Sequence, residues 1–253
     1  MQIIADLHTH TNVTDHAFST LTEMVQAAHD MGLKAIAITN HGPTNPDGPH
    51  EWHFSNLNLV PRKMNGVTVI RGIEFDITAP SGGINVMANK SLKHIDWALA
   101  SFHECLFPPA DRSIHTAALE SILYNPYVNA FGHLGNPNFD FDHEYIISRC
   151  NERGKVVEIN NASLNVRAGS KKNCADIARM CMKYEVPIVW TATATSASAS
   201  AMSRVRSKCS RRSDSPRSSS STAAWRVWTL TSRAVAWICS AAKNKRGTYA
   251  DRY

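Results

Sequence analysis

Ile3-Ile4-Ala5-Asp6-Leu7-His8-Thr9-His10 is the stretch from which the architecture can be read. Ile3–Leu7 is a short aliphatic run that predicts a β-strand. In extended chain, residues two apart point the same way. His8 and His10 can therefore face one point just beyond that strand's C-terminal end. An H-x-H pair alone is a weak signal, but the pattern recurs. Short strand-like runs follow at Lys34–Thr39, Val67–Arg71, Ile95–Ser101, Val128–Gly132, Lys155–Asn160 and Val186–Trp190. His41, Glu74, His103 and His133 come just after the second, third, fourth and fifth runs.

Helix signals lie between several of these strands. Thr20 and Glu23 have capping-box spacing, and Leu21, Met24, Val25 and Ala28 repeat with helical period. Gly32 sits where a C-terminal cap belongs. Ser170 is placed to cap a helix through Cys174, Ile177, Ala178 and Cys181, and Thr116–Tyr124 reads as a third helix. Repeated strand–helix units imply a parallel sheet, and about seven of them favour a closed or nearly closed barrel. In such a barrel all strand C-terminal ends share one face. His or Glu after five consecutive strands then predicts a common metal site. Imidazole with carboxylate suits Zn, Mn or Fe better than Mg or Ca. The ligands outnumber the four that a single tetrahedral zinc takes, so more than one ion is expected.

Composition narrows the classes further. A hydrophobic fraction of 43% is ordinary for a globular protein. No apolar run approaches the roughly 20 residues of a membrane span. The N-terminal residues lack the charged-then-apolar pattern of a signal peptide. The 6 cysteines form no CxxC pair, so reduced thiols and a cytoplasmic location are expected. The net charge of +6 is unevenly spread. Residues 191–253 hold 12 of the 27 Lys+Arg and only 2 of the 21 acids, which leaves residues 1–190 with 15 basic and 19 acidic residues, a net of −4. That balance argues against a long nucleic-acid groove.

The runs DLHTH (6–10), HAFSTLTEMVQAA (16–28), AIAITNHGP (35–43), HEWHFSNLNLVPR (50–62), VIRGIEFDI (69–77), SFHE (101–104), FGHLGNP (131–137) and EINNAS (158–163) resemble the PHP (polymerase and histidinol phosphatase) family, most of all its YcdX-like phosphatases. The resemblance covers residues 2 to 190. It implies an α/β fold, a distorted (β/α)7 barrel, with up to three divalent ions, zinc first and manganese or iron as alternatives. It assigns His8, His10 and Glu74 to one ion, Glu74, His103 and His133 to a second, and His16 and His41 to a third. A small phosphorylated substrate and attack by a metal-bound hydroxide are implied. His50, His53 and Arg167 are candidate substrate contacts, Arg167 through bidentate phosphate binding. Asp6 is a candidate acceptor that orients one of the paired histidines. His29, His94, His115 and His143 read as surface or structural. The alternatives are a phosphodiesterase or nuclease on the same metals, or a non-catalytic metal-binding module.

The sequence departs from the family at two places. Asn40 stands where the family usually has Asp, which predicts weaker metal binding at His41. The family's late D-x-H motif is missing: Val186–Trp190 runs into Thr191-Ala192-Thr193-Ala194-Thr195, and residues 191–253 contain no His. One ligand each is then missing from two of the three ions, and the last strand and helix units of the barrel are in doubt. A frameshift beginning near Trp190 is the hypothesis that would account for this. If each codon takes the third base of one written codon and the first two of the next, Thr becomes Asp, Asn, His or Tyr, and Ala becomes Ser, Gly, Arg or Cys. Ala192–Thr195 can then encode Ser-Asp-Ser-His, with Asp at 193 and His at 195, and 228–240 can encode a segment like the family's closing strand and helix. The expected organisation is a PHP domain at 1–190 followed by an aberrant Ser/Ala/Arg-rich tail at 191–253.

Overall fold

The computed structural model describes residues 4–197 apart from 86, 88 and 194. The strands are β1 (Ala5–Thr9), β2 (Ala35–Ile38), β3 (Lys63–Met64), β4 (Val67–Asp76), β5 (Trp97–Ser101), β6 (Ala130–Phe131), β7 (Val156–Asn160) and β8 (Ile188–Thr191). The helices are α1 (Leu21–Asp30), α2 (Glu51–Ser55), α3 (Asn89–Leu92), α4 (Arg112–Leu123), α5 (His143–Cys150), α6 (Ser163–Val166) and α7 (Ser170–Lys183). Neighbouring strands pair in parallel in the order β1-β2-β4-β5-β6-β7-β8, while β3 folds back antiparallel on β4. The sheet closes almost completely into a barrel. Leu7 of β1 and Val189 of β8 share its inner core, and Ala192 N donates to Asp6 at the seam.

That inner core draws on all seven parallel strands: Ala5, Leu7, Ala35, Ala37, Ile70, Trp97, Leu99, Ala130, Val156 and Val189. The barrel is packed, not hollow. Trp97 takes the space that the surrounding alanines leave, and its indole N–H donates to Leu7 O at 3.0 Å. Outside, the other strand faces meet the helices in two further clusters, one holding Met24, Val25 and Ala28 of α1, the other Ala118, Leu119 and Ile122 of α4 with Ile177 and Cys181 of α7.

The Thr20–Glu23 capping box forms in full. Gly32 has φ 75, and its N donates to His29 O at 2.8 Å while Leu33 N reaches Ala28 O at 2.9 Å, so α1 ends on a left-handed residue as its sequence predicts. Three local expectations are corrected. Ser170 is the first helical residue of α7, not its cap; Gly169, at φ 87, takes that place because glycine alone enters the left-handed region without cost. The third helix begins at Arg112, a full turn before Thr116. β4 runs on to Asp76, so Glu74 lies inside a strand instead of after one. The expected boundary after Trp190 falls within β8, and residues 198–253 lie outside the described residues.

Candidate metal centre

Backbone register brings the candidate ligand side chains together. Between Asp6 and Thr9 the β1 chain uses one residue more than the facing Ile36–Ile38 segment of β2. Such a bulge re-aims side chains. Leu7 thereby packs in the barrel core while His8 and His10 both reach Glu74. The β2–β4 ladder continues past Ile38: Glu74 N donates to Asn40 O and Gly42 N to Glu74 O, each at 3.0 Å, which sets His41 beside Glu74. His103 and His133 follow β5 and β6 on the same rim. A Cβ on Gly132 would stand 2.1 Å from Ser101 Oγ and 3.6 Å from Glu74 Oε1, so only glycine lets β6 approach here.

Glu74 is the hub. Its Oε2 lies 3.0 Å from His8 Nε2, 3.4 Å from His10 Nε2 and 3.4 Å from His41 Nδ1. Its Oε1 lies 3.1 Å from His133 Nε2 and 3.5 Å from His103 Nε2, and accepts from Ser101 Oγ at 2.6 Å. His16 stands at the outer edge, its ring 5.3 Å from that of His10 and 5.5 Å from that of His41. Four groups of three each hold potential ligand atoms within 4.8 Å of one another: His8-His10-Glu74, Glu74-His103-His133, His10-His16-His41 and His41-Asp76-His103.

The electrostatics follow from one buried acid among many imidazoles. Burial opposes its charge, but His8, His103 and His41 hold the Glu74 carboxyl well below the usual range. Burial also opposes charge on His8, yet Glu74 and Glu158 raise it well above the ordinary imidazole value. His103, against the same burial, is pushed up to about 9 by Glu74 and Asp76. His10, His41 and His133 are each driven down to about 4, mainly by burial. These three are neutral imidazoles at neutral pH, the form that binds metal. Buried polar atoms are normally hydrogen-bonded. Among the described residues, His10 Nδ1 and His41 Nδ1 are buried and make no hydrogen bond, His41 Nδ1 although it stands 3.4 Å from Glu74 Oε2. A donor set of imidazoles around a shared carboxylate, with buried nitrogens left over, fits cations of the Zn, Mn or Fe type.

Carboxylates behind the ligands were not singled out as site residues from the sequence. Glu158 Oε1 lies 2.7 Å from His8 Nδ1, and its Oε2 accepts from His133 N at 2.6 Å. Asp76 Oδ1 lies 2.5 Å from His103 Nδ1. Asp47 pairs with His16 Nδ1 and accepts His16 N at 3.0 Å. The available signal was parity for two of them: Asp76 is two residues past Glu74 on β4, and Glu158 lies near the end of β7. Asp47 sits in a loop and had none.

Asp6 does not orient an imidazole ring. It accepts the His8 backbone N at 3.2 Å and Ala192 N at 3.3 Å, and burial raises it to about 7. Asn40 faces away from His41: its Oδ1 accepts from Thr11 N, Thr11 Oγ1 and Thr14 Oγ1, and its Nδ2 lies 3.2 Å from His53 Nε2. His53 therefore touches the rim indirectly. His50 is exposed and caps α2 by accepting Trp52 N, outside the cluster. Arg167 is half-buried, donates to Ser163 Oγ at 2.6 Å, and its positive field reaches His133. Thr193 Oγ1 accepts from Asn160 Nδ2, and Thr195 O accepts Phe18 N at 2.9 Å, so both positions lie along the rim.

A parallel β/α barrel with imidazoles and carboxylates massed at the C-terminal ends of its strands defines the class of barrels with a candidate metal centre at that rim. The PHP domain model matches residues 6–162. The chain is 41% identical over 189 residues to a probable phosphatase of Acetivibrio thermocellus, covering 75% of this chain and 78% of that one. It is 43% identical over 182 residues to a probable phosphatase of Vibrio campbellii, covering 71% and 72%. The fold is similar to that of histidinol phosphate phosphatase from Lactococcus lactis, solved with Zn, L-histidinol and phosphate, with a TM-score of 0.59 at 15% identity over 82% of this chain and 92% of that one. The chain belongs to the PHP family. No helix among the described residues is long and apolar enough to cross a membrane.

Proposed function

We propose that this PHP-family hydrolase cleaves small phosphate monoesters at a centre of two or three divalent cations, with zinc the first candidate and manganese or iron the alternatives. The observation that carries the reading is the contact of the Glu74 carboxylate with five imidazoles within 3.5 Å. His8, His10 and Glu74 would hold one ion, Glu74, His103 and His133 a second, and His16 and His41 a third. Cations held there would supply Lewis acidity, activating water near neutral pH and offsetting charge on the phosphoryl group. The probable-phosphatase relatives, and the zinc and phosphate in the related barrel, favour the same chemistry.

The chain's own residues prepare that chemistry. Glu158 and Asp76 occupy the Nδ1 sides of His8 and His103 and leave both Nε2 atoms facing Glu74. Arg167, near His133, is the proposed phosphate contact, since its fork of donors matches phosphate oxygens. The net of −4 over residues 1–190 favours a small ester over a polyanion. Phosphate release by the zinc-loaded protein, from p-nitrophenyl phosphate and from bis-p-nitrophenyl phosphate, tests the reading. Faster release from the monoester supports it. Preference for the diester would favour the phosphodiesterase alternative.

A second reading, a metal-binding module without turnover, is favoured by threonine at 193 and 195. The backbone there has a bearing on the shifted-frame proposal. Thr193 has φ 47. Asp and Asn enter this left-handed region far more readily than a β-branched residue. An aspartate at 193 is therefore what the local conformation suits.

A further inference from the structure

We infer that Asn45 is a positioning residue that ties two of the metal loci together, an inference that rests on the metal-centre reading. Asn45 belongs to the loop after β2, ligates nothing itself and is 5% exposed. Its amide group is used at both ends. Nδ2 donates to Asp76 Oδ1 at 2.7 Å, and Oδ1 accepts the backbone N of Asp47 at 3.0 Å. Each carboxylate so held grips a different histidine: Asp76 lies 2.5 Å from His103 Nδ1, and Asp47 pairs with His16 Nδ1. One side chain thus links His103, against Glu74 and His133, to His16 at the outer edge of the cluster.

The geometry gives this link its purpose. A ligating imidazole is oriented by what its second nitrogen contacts, and loss of that support commonly costs about 10–100-fold in metal affinity. Asp76 is braced on its other side by Asn85, whose Nδ2 donates to Asp76 Oδ2 at 3.0 Å and whose Oδ1 accepts Asp76 N at 2.5 Å. The Asp47 backbone N–H is held by the Asn45 side chain, its one acceptor among the described residues. Asn45 also turns the loop, since its N donates to Gly42 O at 3.1 Å and its O accepts Gly48 N at 2.8 Å. The Asn45 amide therefore adds a direct side-chain tie between the loop carrying Asp47 and the strand carrying Asp76, beside the Gly42 N–Glu74 O bond and the Asn85–Thr44 contact.

The test uses the full chain loaded with zinc and exposed to graded chelator. Zinc per chain is read by mass spectrometry, and the tautomers of His16 and His103 by ring-nitrogen NMR. Asn45→Ala removes both contacts. It should weaken retention of the ions at His103 and at His16 about ten-fold and alter the His103 and His16 signals while those of His8 stay put. Asn45→Asp keeps the acceptor for Asp47 N and replaces the donor facing Asp76. It should disturb His103 and spare His16, a one-ended effect that general loosening of the fold would not produce. Circular dichroism checks folding, and if the alanine variant does not fold, the aspartate pattern decides. Unchanged zinc retention in folded Asn45→Ala, or equal disturbance of both histidines in Asn45→Asp, overturns the inference alone. A wild-type chain that binds no zinc overturns the metal-centre reading as well.

Discussion

Glu158 and His8 sit 150 residues apart in the chain and 2.7 Å apart in the structure, with both side chains wholly buried. The far nitrogen of the same ring lies 3.0 Å from Glu74. His8 is therefore clamped between two carboxylates. His8 and His133, against the cost of burial, hold Glu158 down to about 2, so it stays ionised.

Glu158→Gln should weaken metal binding about 10–100-fold while leaving the fold intact, because the amide fills the same volume but offers a weaker acceptor. Competition with a zinc-binding dye measures it. An affinity within two-fold of wild type would count against a role for Glu158 behind His8.

Metal binding should strengthen as pH rises from 6 towards 9. His103 titrates near 9 in the free protein, and His8 well above its ordinary value. Both must lose a proton to ligate. Stability of the metal-free chain runs the other way. A histidine raised above its unfolded value contributes stability fully present below about 6.5, and that contribution is lost as pH climbs through the folded value. Calorimetry of zinc binding in two buffers of different ionisation enthalpy reads the released protons. Binding without proton release at pH 7 would contradict the assignment.

Trp97→Ala should destabilise the barrel by about 3–5 kcal/mol, because the alanines lining the inner core cannot close the space left behind. Urea unfolding followed by circular dichroism measures the loss. A change below about 1 kcal/mol would mean that the interior collapses around the smaller side chain.

Thr193→Asp combined with Thr195→His should raise metal stoichiometry and increase phosphate release at least about ten-fold over the chain as written. Elemental analysis and the p-nitrophenyl phosphate assay read the two effects. Sequencing the DNA across codons 185–200 tests the shifted frame directly, and an intact frame through to Tyr253 would end that explanation. Bound zinc with no gain in turnover in the double variant would favour the non-catalytic reading.

How far the site was legible depended on which residues carried a local signal. His8, His10, His41, Glu74, His103 and His133 announced themselves by type and by position near strand ends, and the structure gathers them around one carboxylate. Thr20 and Glu23 declared α1 because a capping box is closed within four residues. Ser170 misled, since a hydroxyl and a glycine are both plausible at a helix start and only the backbone conformation decides between them.

The sequence by itself determined the barrel class and the kind of candidate ligand, imidazole or carboxylate, near the ends of the first five predicted strands, because strand period and residue type are local properties. Tertiary structure decided which acid backs which imidazole. Glu158 behind His8, Asp76 behind His103 and Asp47 behind His16 are pairings across 150, 27 and 31 residues. Asn40 turned away from His41 for the same reason: its partners are Thr11, Thr14 and His53, brought to it from other segments. Such contacts depend on the register of parallel strands and on a bulge in β1. Neither leaves a mark on the residues flanking the side chains concerned.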